Sequence, residues 1–314
     1  MIPFLSFTPG TERAVLMTLG ILVFFTLLFY GWDFFAKKEF LKSIKERVNS
    51  WWVIFTIVLI AIGTTRELAF IIFAIISFIS FRELTSKLNF SHKHRRTILL
   101  AYLAIPLQYY FAYAKLFIPF LVFIPVGMLL LLPFRSILEG QSEDSIKTFS
   151  QLQWSLMLTV FSLSHMAYMM SLPNIETMGE GAPGLIFFLI LITQLNDVSQ
   201  FIFGKLFGKR KISPLISPNK TWAGLLGGIF GSLCFGYLFK GLLPFNVKQV
   251  LLVSGLISLC GFFGDLNISA IKRDLKIKDM SNLIPGHGGI LDRMDSLIFS
   301  NVVFFYLIYY WIYT

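Results

Sequence analysis

Residues 116–134 read LFIPFLVFIPVGMLLLLPF, a run without a single charged side chain. A helix needs roughly 20 apolar residues to cross a hydrocarbon core of about 30 Å, and this run is of that length. The same texture recurs. Apolar segments fall at Ala14–Phe35, Trp51–Gly63, Leu68–Phe81, Ile98–Ala114, Leu116–Phe134, Trp154–Leu172, Gly184–Gly204, Trp222–Leu243, Val250–Leu266 and Ser296–Tyr313. They predict an all-α, polytopic membrane bundle of about ten transmembrane segments, the second and third short for a full crossing. The first segment has no small-residue cleavage pattern after it and reads as a retained helix rather than a secretory signal.

Composition points the same way. Of 314 residues 56% are hydrophobic, 17% aromatic and only 14% charged, with 35 Phe and a mean hydropathy of +0.73. Soluble domains carry about 25% charged residues, so a soluble, disordered or fibrous chain is excluded. The net charge of +10 has no basic soluble module to carry it, which argues against a nucleic-acid partner. Cys234 and Cys260 lie in apolar runs without metal-ligand spacing and read as buried small residues.

The basic residues alternate from loop to loop. Twenty-two of the 27 Lys and Arg follow the odd-numbered segments, leaving Arg13, Arg66, Lys115, Lys240 and Lys248 on the other side. Positive loops stay in the cytoplasm, which puts both termini outside. Lys37–Arg47 reads as an amphipathic interfacial helix, Leu138–Ser150 as a solvated loop, and His165 as a hydrogen-bonded core residue. Residues 1–183 read as N-terminal transmembrane helices and 184–314 as the part with dense polar loops. The compact loops suggest a bacterial inner membrane.

The densest polar stretch is GDLNISAIKRDLKIKDMSNLIPGHGGILDRMDS, residues 264–296. Ionisable groups at membrane-helix edges are costly and mark functional sites by default. Asp265, Ser269, Lys272 and Arg273 stand at i, i+4, i+7 and i+8, one face of a continuing helix. A carboxylate and a hydroxyl followed by two cations suit a metal and then a phosphate. Pro285, Gly286, His287, Gly288 and Gly289 cannot stay helical, and their turn reads either as an anion-binding nest of amides or as a plain re-entry turn. Asp292, Arg293 and Asp295 open the last helix. Asp265 and Asp292, from two adjacent helices, could supply the one or two carboxylates that Mg²⁺ takes beside substrate phosphates. A second stretch, NDVSQFIFGKLFGKRKISPLISPNKTWAGLLGG (196–228), places Asp197 inside an apolar segment and Ser217, Lys220 and Thr221 before a glycine-rich helix. It reads equally as a capped helix with topological lysines, and it lacks the P-loop spacing.

The run from Ser269 to Asp295 closely resembles the signature of the phosphatidate cytidylyltransferase (CDP-diacylglycerol synthase) family. The likeness rests on Ser269, Lys272, Arg273, Lys278, Asp279, Pro285, Gly286, His287, Gly288, Gly289, Asp292, Arg293 and Asp295. The segment FGKLFGKRKISPLISPNKTWAG also looks like that family, while the N-terminal half is similar only in hydropathy. The resemblance implies a homodimer with a polar cavity open to the cytoplasm and sideways to lipid. It implies Mg²⁺-dependent transfer from CTP to phosphatidate, giving CDP-diacylglycerol and pyrophosphate. It assigns the metal to Asp265 and Asp292, with Asp197 as a further candidate. Lys272, Arg273, Arg293 and Lys220 would do the electrostatic work; Asp279, His287 and Asp295 would orient the nucleotide or support the ligands. Ser217, Thr221, Ser269, Gly286, Gly288 and Gly289 would line the substrate. Two departures, Ser199–Gln200 in place of Ala-Tyr and Ala223 in place of Glu, touch neither metal nor phosphate positions on this reading. They predict a divergent paralogue with its own lipid phosphate. The alternatives are a transporter or channel using the intramembrane carboxylates, and a silent family member serving as scaffold.

Overall fold

The computed structural model describes residues 7–36, 39–91, 94–138, 140, 145–172, 179–284 and 288–313. Twelve α-helices make up nearly all of it: α1 (Pro9–Ala36), α2 (Glu39–Gly63), α3 (Arg66–Thr85), α4 (Arg95–Tyr113), α5 (Phe117–Val122), α6 (Leu129–Leu138), α7 (Ser145–Ser155), α8 (Ser162–Met169), α9 (Gly181–Phe207), α10 (Trp222–Leu238), α11 (Val247–Asp274) and α12 (Leu291–Tyr313). Six-residue π-helical stretches, Phe123–Met128 and Leu156–Phe161, join α5 to α6 and α7 to α8 into two continuous rods. Pro125 lacks the N–H an α-helical turn needs, which accounts for the wider winding of the first.

Helical rods therefore stand where the ten apolar segments were expected. Among the described residues six spans are long and apolar enough to cross a membrane: Pro9–Leu28, Arg66–Thr85, Phe117–Leu138, Gly181–Phe207, Val247–Asp274 and Leu291–Tyr313. Trp51–Gly63 and Trp222–Leu238 are apolar but shorter. Several sequence expectations need correction. The region from Lys37 to Arg47 is no separate interfacial helix, since α2 runs unbroken from Glu39 to Gly63; Lys37 and Lys38 lie outside the described residues. Ser145 to Ser150 belong to α7, not to a solvated loop. Cys234 is exposed and Cys260 half-buried, so neither is a core residue. The chain is also not purely helical. Strands β1 (Lys211–Ser213) and β2 (Ser217–Thr221) pair antiparallel, Lys211 opposite Thr221 and Ser213 opposite Ser217.

Local chemistry sets the helix starts nearest the site. The Thr221 hydroxyl accepts the N–H of Gly224 at 3.1 Å and caps α10. Asn246 and Gln249 exchange side chain and backbone bonds in a capping box that starts α11. Close helix approach depends on small residues, the usual device where lipid removes the hydrophobic drive between helices. Gly227, Gly228 and Gly231 of α10 face Phe203, Asn196, Gln200 and Ser199 of α9 with no room for a Cβ. Gly264 of α11 rests against the backbone carbonyl of Asp295, so α11 and α12 touch where the acidic residues begin. One large hydrophobic core joins α1 through α12, and a satellite of Leu84, Leu158, Ile268, Met280, Leu291 and Ile298 underlies the signature loop. His165 is fully buried in the main core, with Nδ1 2.7 Å from the Phe161 carbonyl and Nε2 3.3 Å from the Tyr306 hydroxyl, as its apolar setting led one to expect.

Candidate active site

The continuing ninth apolar helix is present: α11 runs to Asp274 and carries Asp265, Ser269, Lys272 and Arg273 along one side. Ser269 donates its hydroxyl proton to Asp265 Oδ1 at 3.2 Å. Lys220, from β2, forms an ion pair with Asp265 Oδ2 at 2.5 Å and donates to Gln200 Oε1 at 3.1 Å. Burial disfavours the Lys220 ammonium, but the Asp265 and Asp197 carboxylates outweigh it and hold its pKa above the ordinary 10.5. Thr221 serves as the α10 cap, and Ser217 is half-buried at the start of β2. Arg273 is exposed and donates through Nε to the Ile216 carbonyl, tying the hairpin to α11.

Asp197 sits on α9 and accepts the Ser296 hydroxyl proton at 3.0 Å through Oδ2. Its other oxygen is buried without a partner. The carboxylates of Asp197, Asp265 and Asp295 act on one another electrostatically, and Lys220, Lys272 and Arg293 act on members of the same group. Three acids and three bases from α9, β2, α11 and α12 thus share one region. Asp295 enters it as an equal member rather than as outlying support.

Asp292 is held differently. It is 4% exposed; Oδ1 accepts from Lys272 Nζ at 2.9 Å, and Oδ2 accepts the N–H groups of Met280 at 2.8 Å and Gly289 at 2.9 Å. Protein donors therefore engage both oxygens. The glycine turn is no open nest in its described part either. Gly289 N–H points to Asp292, and the N–H groups of Ile290 and Leu291 point to Glu83 at 3.0 and 2.8 Å. Gly288 has φ of 76° and accepts the Ile284 N–H at 2.8 Å, beside the exposed Asp279. Pro285, Gly286 and His287 lie outside the described residues.

Two contributions escaped sequence reasoning. Glu83 comes from α3, some two hundred residues away, and shows only as one acidic residue in a short polar tail; no spacing rule joins it to the signature. Gln200, one of the departures from the family pattern, accepts a hydrogen bond from Lys220, a link that the sequence reading did not draw. An intramembrane amide three residues after Asp197, thus near it on the helix, was the available signal.

Three buried side-chain atoms without a partner belong to this group: Asp197 Oδ1, Arg293 Nε and Gln200 Nε2. Each unsatisfied group costs about 1–3 kcal/mol, so such a set befits a region that takes a polar ligand. Among the described residues no group of three or more His, Cys, Asp and Glu is placed to hold a metal ion. An oxygen-rich but incomplete donor set fits Mg²⁺, which keeps waters and substrate phosphates in its shell.

Beside the charges lies an apolar cavity of about 150 Å³ between α2, α3, α8, α9 and α12, in which Gln194 and Arg293 are the only polar lining residues among the described ones. Val53 and Ile57 of α2 line it and are 54% and 41% exposed, so the cavity reaches the lipid-facing surface. A polar cavity was the expectation; this one is hydrophobic, with a guanidinium at its margin.

Comparison with known proteins identifies relatives of the chain. Residues 45–311 match the model of the cytidylyltransferase family. The uncharacterized protein YnbB of Escherichia coli (strain K12) is 37% identical over 302 residues, 95% of this chain and 98% of that one. Phosphatidate cytidylyltransferases of Staphylococcus saprophyticus and Staphylococcus aureus (strain COL) are 39% and 40% identical over 161 and 159 residues. These two alignments span 49% of this chain and 61% of each relative. With membrane-length helices and a family match over most of its length, the chain belongs to the cytidylyltransferase family.

Proposed function

We propose that the protein transfers the cytidylyl group of CTP to the phosphate of a lipid, with phosphatidate as the reference acceptor, CDP-diacylglycerol as product and pyrophosphate as leaving group. The observation that carries this reading is the contact of a mixed acid–base cluster with a lipid-open apolar cavity through one residue, Arg293. An amphiphilic phosphate matches both surfaces at once. A transporter or channel finds no comparable support.

A lipid phosphate oxygen attacks the α-phosphorus of CTP; that P–O bond forms as the bond to the bridging α–β oxygen breaks, and the electron pair leaves with pyrophosphate. No protein nucleophile is needed. Lys220, Lys272, Arg273 and Arg293 neutralise charge on the phosphoryl oxygens and hold attacking and leaving oxygens in line. Asp265, Asp292 and Asp197, the last with a free buried oxygen, would hold Mg²⁺, while Lys272 beside Asp292 would face the phosphates. When bound, Mg²⁺ supplies Lewis-acid charge neutralisation to the phosphates. Gln200 holds Lys220 toward Asp265, and Thr221 and Ser217 set the hairpin beneath it.

The reading also includes ten crossings with both termini outside, a cytoplasm-facing site in a bacterial inner membrane, a homodimer, and residues 184–314 as the catalytic part. The deciding experiment is pyrophosphate release by the detergent-solubilised protein with Mg²⁺, CTP and phosphatidate, with and without lipid. Lipid-dependent release supports the assignment. Mg²⁺-dependent CTP binding without release on phosphatidate points to another lipid phosphate, and absence of CTP binding overturns the proposal.

A further inference from the structure

Glu83 is the last acidic residue of α3, 6% exposed, and no ion pair accounts for its burial among the described residues. Its partners are hydrogen-bond donors of the signature loop. Oε1 accepts the Ser281 hydroxyl proton at 2.6 Å and the Ile290 N–H at 3.0 Å; Oε2 accepts the Leu291 N–H at 2.8 Å. Gly289 passes so close that a Cβ there would collide with the carboxylate. A carboxylate at a helix N-terminus satisfies amides that have no partner within the helix and meets the positive end of the dipole. Glu83 thus does for α12 what a capping residue normally does, but from a helix in the other half of the chain.

The next residues on α12 are Asp292, Arg293 and Asp295. A helix start fixed at Ile290 and Leu291 fixes their height and rotation relative to Lys272 and Asp265 on α11. Asp292 takes the neighbouring Gly289 and Met280 amides, so the two acids divide the donors of the turn between them. We infer that Glu83 is a positioning residue for the transfer reaction: it latches the signature loop and the first turn of α12 to α3, holding Asp292, Arg293 and Asp295 in register with α11. Glu83 touches no reacting atom in this assignment, which rests on the function proposed above.

The test uses full-length protein carrying Glu83→Gln, with Ser281→Ala as a milder second variant, and two readouts. Hydrogen exchange of the peptide covering residues 281–293 needs no substrate. Steady-state pyrophosphate release with CTP varied separates kcat from KM. For Glu83→Gln, exchange in that peptide rises while peptides of α9 and α10 keep wild-type rates. The turnover number falls about 10- to 100-fold, the usual cost of losing an outer partner of a reactive group, with KM for CTP within about twofold. Ser281→Ala shifts both readouts less, in the same direction. Unchanged exchange in residues 281–293 overturns the latch. Faster exchange with wild-type kcat overturns the positioning role. A wild-type protein inactive on every lipid phosphate removes the proposed reaction and with it the positioning role, while the exchange result still decides whether the latch exists.

Discussion

Lys220 of β2 reaches Asp265 of α11 at 2.5 Å and, through the same ammonium, Gln200 of α9 at 3.1 Å. A two-stranded hairpin is marginal on its own. This one is anchored at both faces, because Arg273 also holds the Ile216 carbonyl at its turn. The hairpin is therefore the device that carries a cation from an aqueous loop into a cluster of membrane-helix carboxylates.

Replacing that cation should separate chemistry from folding. Lys220→Met keeps much of the stem and its packing but removes the charge facing the phosphates. Turnover is expected to fall about 10²–10³-fold, the scale for one lost electrostatic donor. The Lys220 pKa is raised on folding, so its ion-pair stability is fully present below about pH 10.5 and is lost only as pH rises through the higher folded value. Wild-type and Lys220→Met proteins should differ in thermal midpoint by the same amount from neutral pH to about pH 10 and converge above it. A difference that vanishes near pH 8 would contradict the assignment.

Asp292→Asn should damage stability as well as activity. The substitution leaves the half-buried Lys272 without its counterion and turns one acceptor into a donor that must face either Lys272 or the two N–H groups. Breaking a buried pair from one side costs about 3–5 kcal/mol. Adding Lys272→Met to Asp292→Asn should restore part of the thermal midpoint and none of the turnover. Full activity in Asp292→Asn would refute a role for this carboxylate at the site.

The parts legible in the sequence were those that periodicity or spacing encodes. Uncharged runs such as 116–134 located the rods, and the i, i+4, i+7, i+8 spacing put Asp265, Ser269, Lys272 and Arg273 on one side of α11. The family resemblance named the right family. It could not say which partner each acid takes, because Asp292 is claimed by amides of its own loop and Asp265 by a lysine from a hairpin. Glu83 was invisible for the same reason: a bond from α3 to Leu291 leaves no local pattern in either stretch. The second π-helical winding and the short strands lie on apolar or loop sequences that carry no distinctive period.

Gly264 offers a test of helix spacing that leaves every charged group in place. A Cβ there meets the backbone oxygen of Asp295, which cannot swing aside as a side chain can. Gly264→Ala should force α11 and α12 apart, at about 1–3 kcal/mol for overpacking, despite the higher helix propensity of Ala. Because Asp265 and Asp295 flank the contact, turnover should fall together with the thermal midpoint. Gly255→Ala, on the same helix with only Leu233 near, is the control and should be close to neutral.

The apolar cavity makes the lipid half of the reaction testable apart from the nucleotide half. Ile57 is 41% exposed at the cavity mouth, so a larger ring there can fill the entrance without being forced into the core. Ile57→Trp should raise KM for a long-chain phosphatidate about tenfold, equivalent to about 1.4 kcal/mol of lost binding. KM for CTP and turnover on a short-chain, water-soluble lipid phosphate should stay near wild type, since neither needs the cavity. The comparison is made by measuring pyrophosphate release for both acceptors in the same detergent. An equal effect on both acceptors would show that the substitution perturbs the catalytic cluster, and no effect on either would show that the acyl chain lies elsewhere.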